Sequence, residues 1–313
     1  MPMPKSVLNT LIKLLNGKID SKIVDKFSEY IDNFKNIKTD VVLFWHNKPY
    51  LYAEELNILK TSTTCTFIQI DWDSCVFNQK WGYKLEQRVL GLDFFDKIFI
   101  CNPKMLNHYK SFGKNCKLRY FIPGFNTNLS YYLLDNSYSC DVSIVCTNLY
   151  DDLEFWSSTK ICRKDVVDAI YKDENINFHF YGPEKFKKLY PKAYKGFIKY
   201  EDCYKVFSNS KINLNISPVG DSLNDVVDGK QKHYISERCP QILGSKGLMM
   251  CDTNLEPILL HNKHYIKIDS ITQALEIIYD VIENNNKYNN IRENGFNYAN
   301  NNMTWDKVLS NLI

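Results

Sequence analysis

Nine short apolar runs, rich in β-branched and aromatic residues, recur along this chain, with helix-like segments between most of them. The first four are VVLFW (41–45), TFIQI (66–70), KIFIC (97–101) and LRYFI (118–122). Segments 49–60, 80–92 and 103–112 lie between them and carry helical spacing. Runs of this length with turn residues at their ends read as strands. Strands alternating with helices predict a parallel sheet covered on its faces by helices. Ahead of the first run, VLNTLIKLL and IVDKFSEYIDNF space their apolar residues as helices do.

Residues 123–139, PGFNTNLSYYLLDNSYS, carry turn residues and no clear period. A second series follows: DVSIVCT (141–147), NFHFYG (177–182), KINLNIS (211–217), GLMMCD (247–252) and HYIKID (264–269). Helices are expected at 163–172, 200–208, 237–246 and 271–285, and ENNNKYNN (283–290) is a polar break. The reading is an α/β chain of two Rossmann-like parallel-sheet domains, residues 1–135 and 136–294, facing a cleft. A length of 313 residues accommodates two such units.

Composition narrows the class. A hydrophobic fraction of 44% supports a packed core, and a formal net charge of +3 gives no whole-chain argument for nucleic acid or membrane. Ten cysteines include no CxxC pair, and most sit in strand-like apolar runs, as buried free thiols do. That pattern points to a reducing compartment. The N-terminus lacks the apolar core of a signal peptide, and no run approaches the ~20 residues of a membrane span. The expectation is a cytoplasmic protein with no transmembrane segment. There is no GxxxxGK[ST], GxGxxG, GxSxG or zinc-spaced His/Cys cluster.

Ligands of open α/β sheets bind beyond the carboxyl ends of the strands. In the first series His46 and Asn47, Asp71 and Asp73, Asn102 and Gly124 take those places. In the second, Thr147 and Asn148, Gly182 and Glu184, Ser217 and Asp252 do so. Asp71-Trp72-Asp73 also has the form of an aspartate-any-aspartate metal motif. Residues 211–252 read as strand, long polar loop, helix, glycine turn and strand. Ser236, Glu237 and Arg238 stand at that helix start, Pro240 lies in its first turn, and Gly244 and Gly247 close it. Arg238 there suits a phosphate.

The ordered set DVSIVCTN, Arg163 at a helix opening, FHFYGPE, YKGFIKYEDCYKVFSNSKINLNISP and SERCPQILGSKGLMMCD resembles the donor-binding domain of GT-B glycosyltransferases. It is most similar to the group that shares the domain of spore maturation protein CgeB. FDKIFICNPKMLNHYKSFG (95–113), FIPGFN (121–126) and TWDKVLSNL extend the resemblance over roughly 39–310. It implies that helix 295–313 packs back on the N-terminal domain. It also implies a nucleotide-diphosphate sugar as donor, with Arg238 on the diphosphate and Arg163 at a common basic position. Phe197, Ile198 and Lys199 would edge the base. Gln241 stands where the family carries a ribose-binding glutamate. His233 stands where many retaining relatives carry an acid, and Glu237 is near but out of register.

The sequence therefore predicts a transferase moving sugar from a UDP- or GDP-sugar to a glycan, protein or other hydroxyl acceptor. No cofactor or metal is required, and His46, Asp71 and Asp73 lie on the acceptor side. Retention and inversion both stay open. So do a non-catalytic GT-B-like binding module and a metal-dependent transferase using Asp71 and Asp73.

Overall fold

A computed structural model describes residues 41–45, 66–71, 94–111, 117–149, 161–217 and 224–310. The helices expected before residue 36 and at 49–60 and 80–92, together with His46, Asn47 and Asp73, lie outside the described residues. The chain divides into two compact units: residues up to Ile122 with Leu223–Tyr234 and Leu309–Ile313, and Pro123–Ser222 with Ile235–Val308. Residues 123–135 thus group with the second unit, as do 295–308 of the closing segment.

In the first unit, β1 (Val41–Trp45), β2 (Thr66–Asp71), β3 (Lys97–Ile100) and β4 (Lys117–Tyr120) form a parallel sheet in sequence order. Helix α1 (Pro103–Ser111) follows β3 and buries Met105, Leu106 and Tyr109, one stripe at helical spacing. Its start is well specified. Asn102 is the cap, its Oδ1 accepting the Met105 N–H at 3.1 Å, and proline takes the first helical position. Also in this unit, β9 (Asp225–Val227) and β10 (Lys230–Lys232) pair antiparallel. Both turn residues have positive φ, 51° at Asp228 and 74° at Gly229. An Asp-Gly pair with left-handed φ at both positions makes the tight turn whose twist matches the strands it joins. The stretch read from sequence as a long polar loop therefore contains a hairpin.

The second unit holds six parallel strands in the order β12-β11-β8-β5-β6-β7. They are β5 (Cys140–Val145), β6 (Phe178–Tyr181), β7 (Tyr194–Gly196), β8 (Ser210–Leu214), β11 (Met249–Cys251) and β12 (Ile266–Lys267). Helices α2 (Arg163–Lys172), α3 (Cys203–Asn209), α4 (Arg238–Gly244) and α5 (Ile271–Glu283) fall between or after them, with α6 (Asn289–Asn302) and α7 (Trp305–Ser310) at the end. Val142, Ile144, Phe180, Ile212, Leu214 and Met250 from the strands meet Val166, Val167 and Ile170 of α2 and Ala274, Ile278 and Val281 of α5 in one core. Ser270 caps α5 by accepting the Gln273 N–H at 3.1 Å.

The end of α4 differs from a simple glycine stop. Lys246 holds the left-handed conformation at φ 59°, and the Gly247 N–H reaches back to the Ile242 carbonyl at 2.9 Å. The glycines serve packing instead. A Cβ on Gly244 would lie 2.3 Å from Phe125, and one on Gly247 would lie 2.7 Å from the Phe207 carbonyl.

Candidate active site

The sheet of the second unit grows from β5 in both directions. β6 and β7 add on one side, and the chain then returns to place β8 against the other edge of β5. The two connections leave a crevice between the carboxyl ends of β5 and β8, the position where open α/β sheets bind ligands. Two arginines meet there. Arg163, first residue of α2, is 4% exposed. Its Nε donates to the Ile216 carbonyl beyond β8 at 2.8 Å and its Nη1 to the Asn148 carbonyl beyond β5 at 2.7 Å. Arg238, first residue of α4, is half-buried and donates Nη1 to the Val145 carbonyl at the end of β5, 2.9 Å away. Among the described residues no carboxylate forms an ion pair with Arg238. One arginine therefore clamps the two strand ends, and the other stands over them with donors to spare.

A polar row continues toward β11. The Ser236 hydroxyl donates to Asn215 Oδ1 at 2.8 Å, fixing the residue that leads into α4 to the one that leaves β8. Asp252, just past β11, accepts the Ser217 N–H on Oδ1 at 2.7 Å. Burial pushes the Asp252 carboxyl up to about 6, against the pull of the Ser217 N–H, the Thr253 hydroxyl and the Arg163 charge. On the other flank, Gly182 follows β6, and a Cβ there would lie 2.4 Å from the Cys146 carbonyl oxygen. Only glycine lets the β6 loop lie this close to the end of β5. Thr147 beside it is exposed.

Arg163, Asn148, Ser217, Ser236 and Arg238 thus come together in one hydrogen-bonded surface. The other expected residues fall elsewhere. Phe197, Ile198 and Lys199 follow the edge strand β7, and Phe197 is 70% exposed. Gln241 is buried inside the unit. Near it lies Tyr200, whose titration is pushed up chiefly by burial and then by the nearby Glu237 charge. Glu237 itself is exposed. His233 groups with the first unit, where it is buried and its carbonyl accepts the Tyr120 hydroxyl at 2.6 Å. Asp71 ends β2, opposite Ile100 of β3. In that unit the buried Asn102 spends its Oδ1 on capping, and its Nδ2 has no hydrogen-bond partner among the described residues. Asn215 escaped the sequence reading. Its signal was Asn213 and Asn215 recurring at a period of two in an apolar strand, which puts both on one face.

A crossover of this kind in a six-stranded parallel sheet is that of a doubly wound α/β fold, and a second parallel sheet precedes it in the chain. Residues 163–313 match the family described as "Glycosyl transferase-like", just under half of the chain. Sucrose-phosphate synthase from Thermosynechococcus elongatus superposes with a TM-score of 0.63 at 10% identity, over 91% of this chain and 76% of that one. HepE from Anabaena, solved with UDP-glucose, gives 0.62 at 11% identity, over 91% and 80%. A glycosyltransferase from Rickettsia africae gives 0.58 at 12% identity, over 97% and 86%. No curated protein matches the chain. The chain has the GT-B fold of these structures, and its residues 163–313 are similar to the glycosyltransferase family. Among the described residues no helix is long and apolar enough to cross a membrane.

Proposed function

We propose that the chain transfers a sugar from a nucleotide-diphosphate sugar, UDP-linked in the first instance, to a hydroxyl acceptor. The observation that carries this is Arg238 at the β5–β8 crevice, tethered by one N–H to Val145 and unpaired with any described carboxylate. A guanidinium held that way is preorganised to receive a diphosphate through its remaining donors. Its charge acts most strongly when negative charge grows on the departing phosphate, as electrostatic catalysis requires. Arg163 adds its field from beneath while fixing both strand ends. The UDP-glucose in HepE supports the choice of UDP.

In this scheme the donor lies along Ser217, Ser236 and Arg238, with Phe197-Ile198-Lys199 at the base and Thr147 and Asn148 at the β5 end. Gln241, buried at the first turns of α4, is the candidate for the ribose. His46, Asp71 and Asp73 are the candidates for handling the acceptor's proton, and His233 is a further candidate for the sugar. The two arginines supply the positive charge, so no divalent ion is needed. Incubation with a panel of UDP- and GDP-sugars, with and without EDTA, tests the reading by release of nucleoside diphosphate. Release that survives EDTA supports it. Strict dependence on a divalent ion would transfer the diphosphate role to a metal, and release from no donor would overturn the reading.

A further inference from the structure

Residues 184–199, EKFKKLYPKAYKGFIK, hold six lysines and one glutamate. That is a net +5 against +3 for the whole chain, so everything else sums to −2. The segment is built to display this charge. Phe186, Tyr190 and Ala193 are buried, while Lys185, Lys187, Lys188, Leu189, Lys192 and Lys195 between them are exposed. The inward side chains are firmly seated. Phe180 stacks on Tyr190 with centroids 5.2 Å apart and meets Phe186 at 4.8 Å, and the Tyr190 hydroxyl donates to Asp168 at 2.7 Å. Backbone bonds from Leu189 and Tyr190 to the Phe186 carbonyl, and from Tyr194 to the Tyr190 carbonyl, fold the stretch into successive turns. Among the described residues only Lys192 of the six has an ion pair, an exposed one to Glu174 at 2.9 Å.

Lysines guard sheet edges against unwanted pairing, and β7 is an edge strand. That accounts for Lys192 and Lys195 beside it. It does not account for Lys185, Lys187 and Lys188 on the turn before it, nor for the apolar side chain among them. Leu189, beside them, is 51% exposed. We propose that this face docks the enzyme on an anionic lipid surface, with Lys185, Lys187, Lys188, Lys192 and Lys195 at the headgroups and Leu189 entering the acyl boundary. Clustered lysines and an outward apolar side chain together match the two attractions such a surface offers. A nucleic acid would use the lysines and leave Leu189 idle.

Sedimentation with phosphatidylcholine vesicles, with and without phosphatidylglycerol, tests this on the whole protein. Wild type should pellet with the phosphatidylglycerol vesicles at low salt, weakly at high salt, and not with phosphatidylcholine alone. Lys185→Gln/Lys187→Gln/Lys188→Gln should lower partitioning about 100-fold, at about 1 kcal/mol per lysine and tenfold per 1.4 kcal/mol. Leu189→Ser should lower it about tenfold without changing the salt slope. These side chains are exposed, and circular dichroism checks that each variant is folded. Equal binding to both vesicle types, or a triple variant that binds as wild type does, overturns the proposal. Tight binding of an oligonucleotide that is insensitive to Leu189→Ser, without vesicle binding, overturns it in favour of nucleic acid.

Discussion

Replacing Arg163 and Arg238 singly with alanine should separate a structural arginine from a ligand-binding one. Arg163→Ala removes donors 2.8 Å from the Ile216 carbonyl and 2.7 Å from the Asn148 carbonyl. Ile216 is fully buried, so its oxygen loses a partner that water cannot replace, while half-buried Asn148 can be partly rehydrated. A buried acceptor left unsatisfied costs about 1–3 kcal/mol, and the pair together about 2–4 kcal/mol. For a unit of this size that lowers Tm by roughly 5–15 °C. Arg238→Ala removes one donor from the carbonyl of Val145, a residue only half-buried, at a stability cost of about 1 kcal/mol or less. Its effect should fall on the nucleotide. Losing a charged hydrogen bond of about 1.5–3 kcal/mol weakens UDP about 10- to 150-fold. Calorimetric titration with UDP and a thermal melt on the same preparations read both quantities. UDP affinity unchanged in Arg238→Ala would refute the diphosphate assignment. A Tm unchanged in Arg163→Ala would refute the clamp.

Other consequences follow from particular contacts. Asp252 has its folded pKa raised to about 6 from 3.8, so the native state holds this proton more tightly than the unfolded chain does. As pH rises from about 4 to 6, the stability Asp252 contributes falls by roughly 3 kcal/mol. His179, whose pKa burial lowers to about 4, gives the opposite slope, so the comparison is made between variant and wild type. Asp252→Asn keeps an acceptor for Ser217 and should gain relative to wild type between pH 4.5 and 7 in urea titrations; a pH-independent difference would count against the buried, protonatable carboxyl. Gly182→Ala forces a Cβ to 2.4 Å from a backbone oxygen and should cost about 1–3 kcal/mol in urea unfolding, with UDP affinity falling as the β5 end shifts. Asn102→Ala removes the α1 cap and should cost about 1 kcal/mol by chemical denaturation, whereas Asn102→Ser should recover most of it.

The second unit was largely legible as sequence. Apolar runs such as SIVC and NLNI can only be buried strands when helix-spaced segments separate them, and the helix predicted at 163–172 is α2 residue for residue. The hairpin was missed because its strands, DVV and KQK, are short and mostly polar. The Asp228-Gly229 pair was its only local mark. β7, three residues on a sheet edge, was missed for the same reason: one hydrogen-bonded neighbour and little burial leave no apolar run to read.

The candidate site divides along the same line. Strand ends locate Asn148, Gly182, Ser217 and Asp252 from periodicity alone, because a parallel sheet sends every carboxyl end to one side. What the side chains do there depends on partners distant in sequence. Arg163 and Arg238 are equivalent in the sequence, each the first residue of a helix after a loop. Tertiary packing buries one against two carbonyls, at Asn148 and Ile216, and leaves the other half-exposed above a third. Gln241 is buried by tertiary packing that no local pattern announces. Sequence alone determined the sheets and the edge that carries the chemistry, because burial of apolar strands is written in local periodicity. Which donors on that edge remain for a ligand was decided by the hydrogen bonds that folding had already filled.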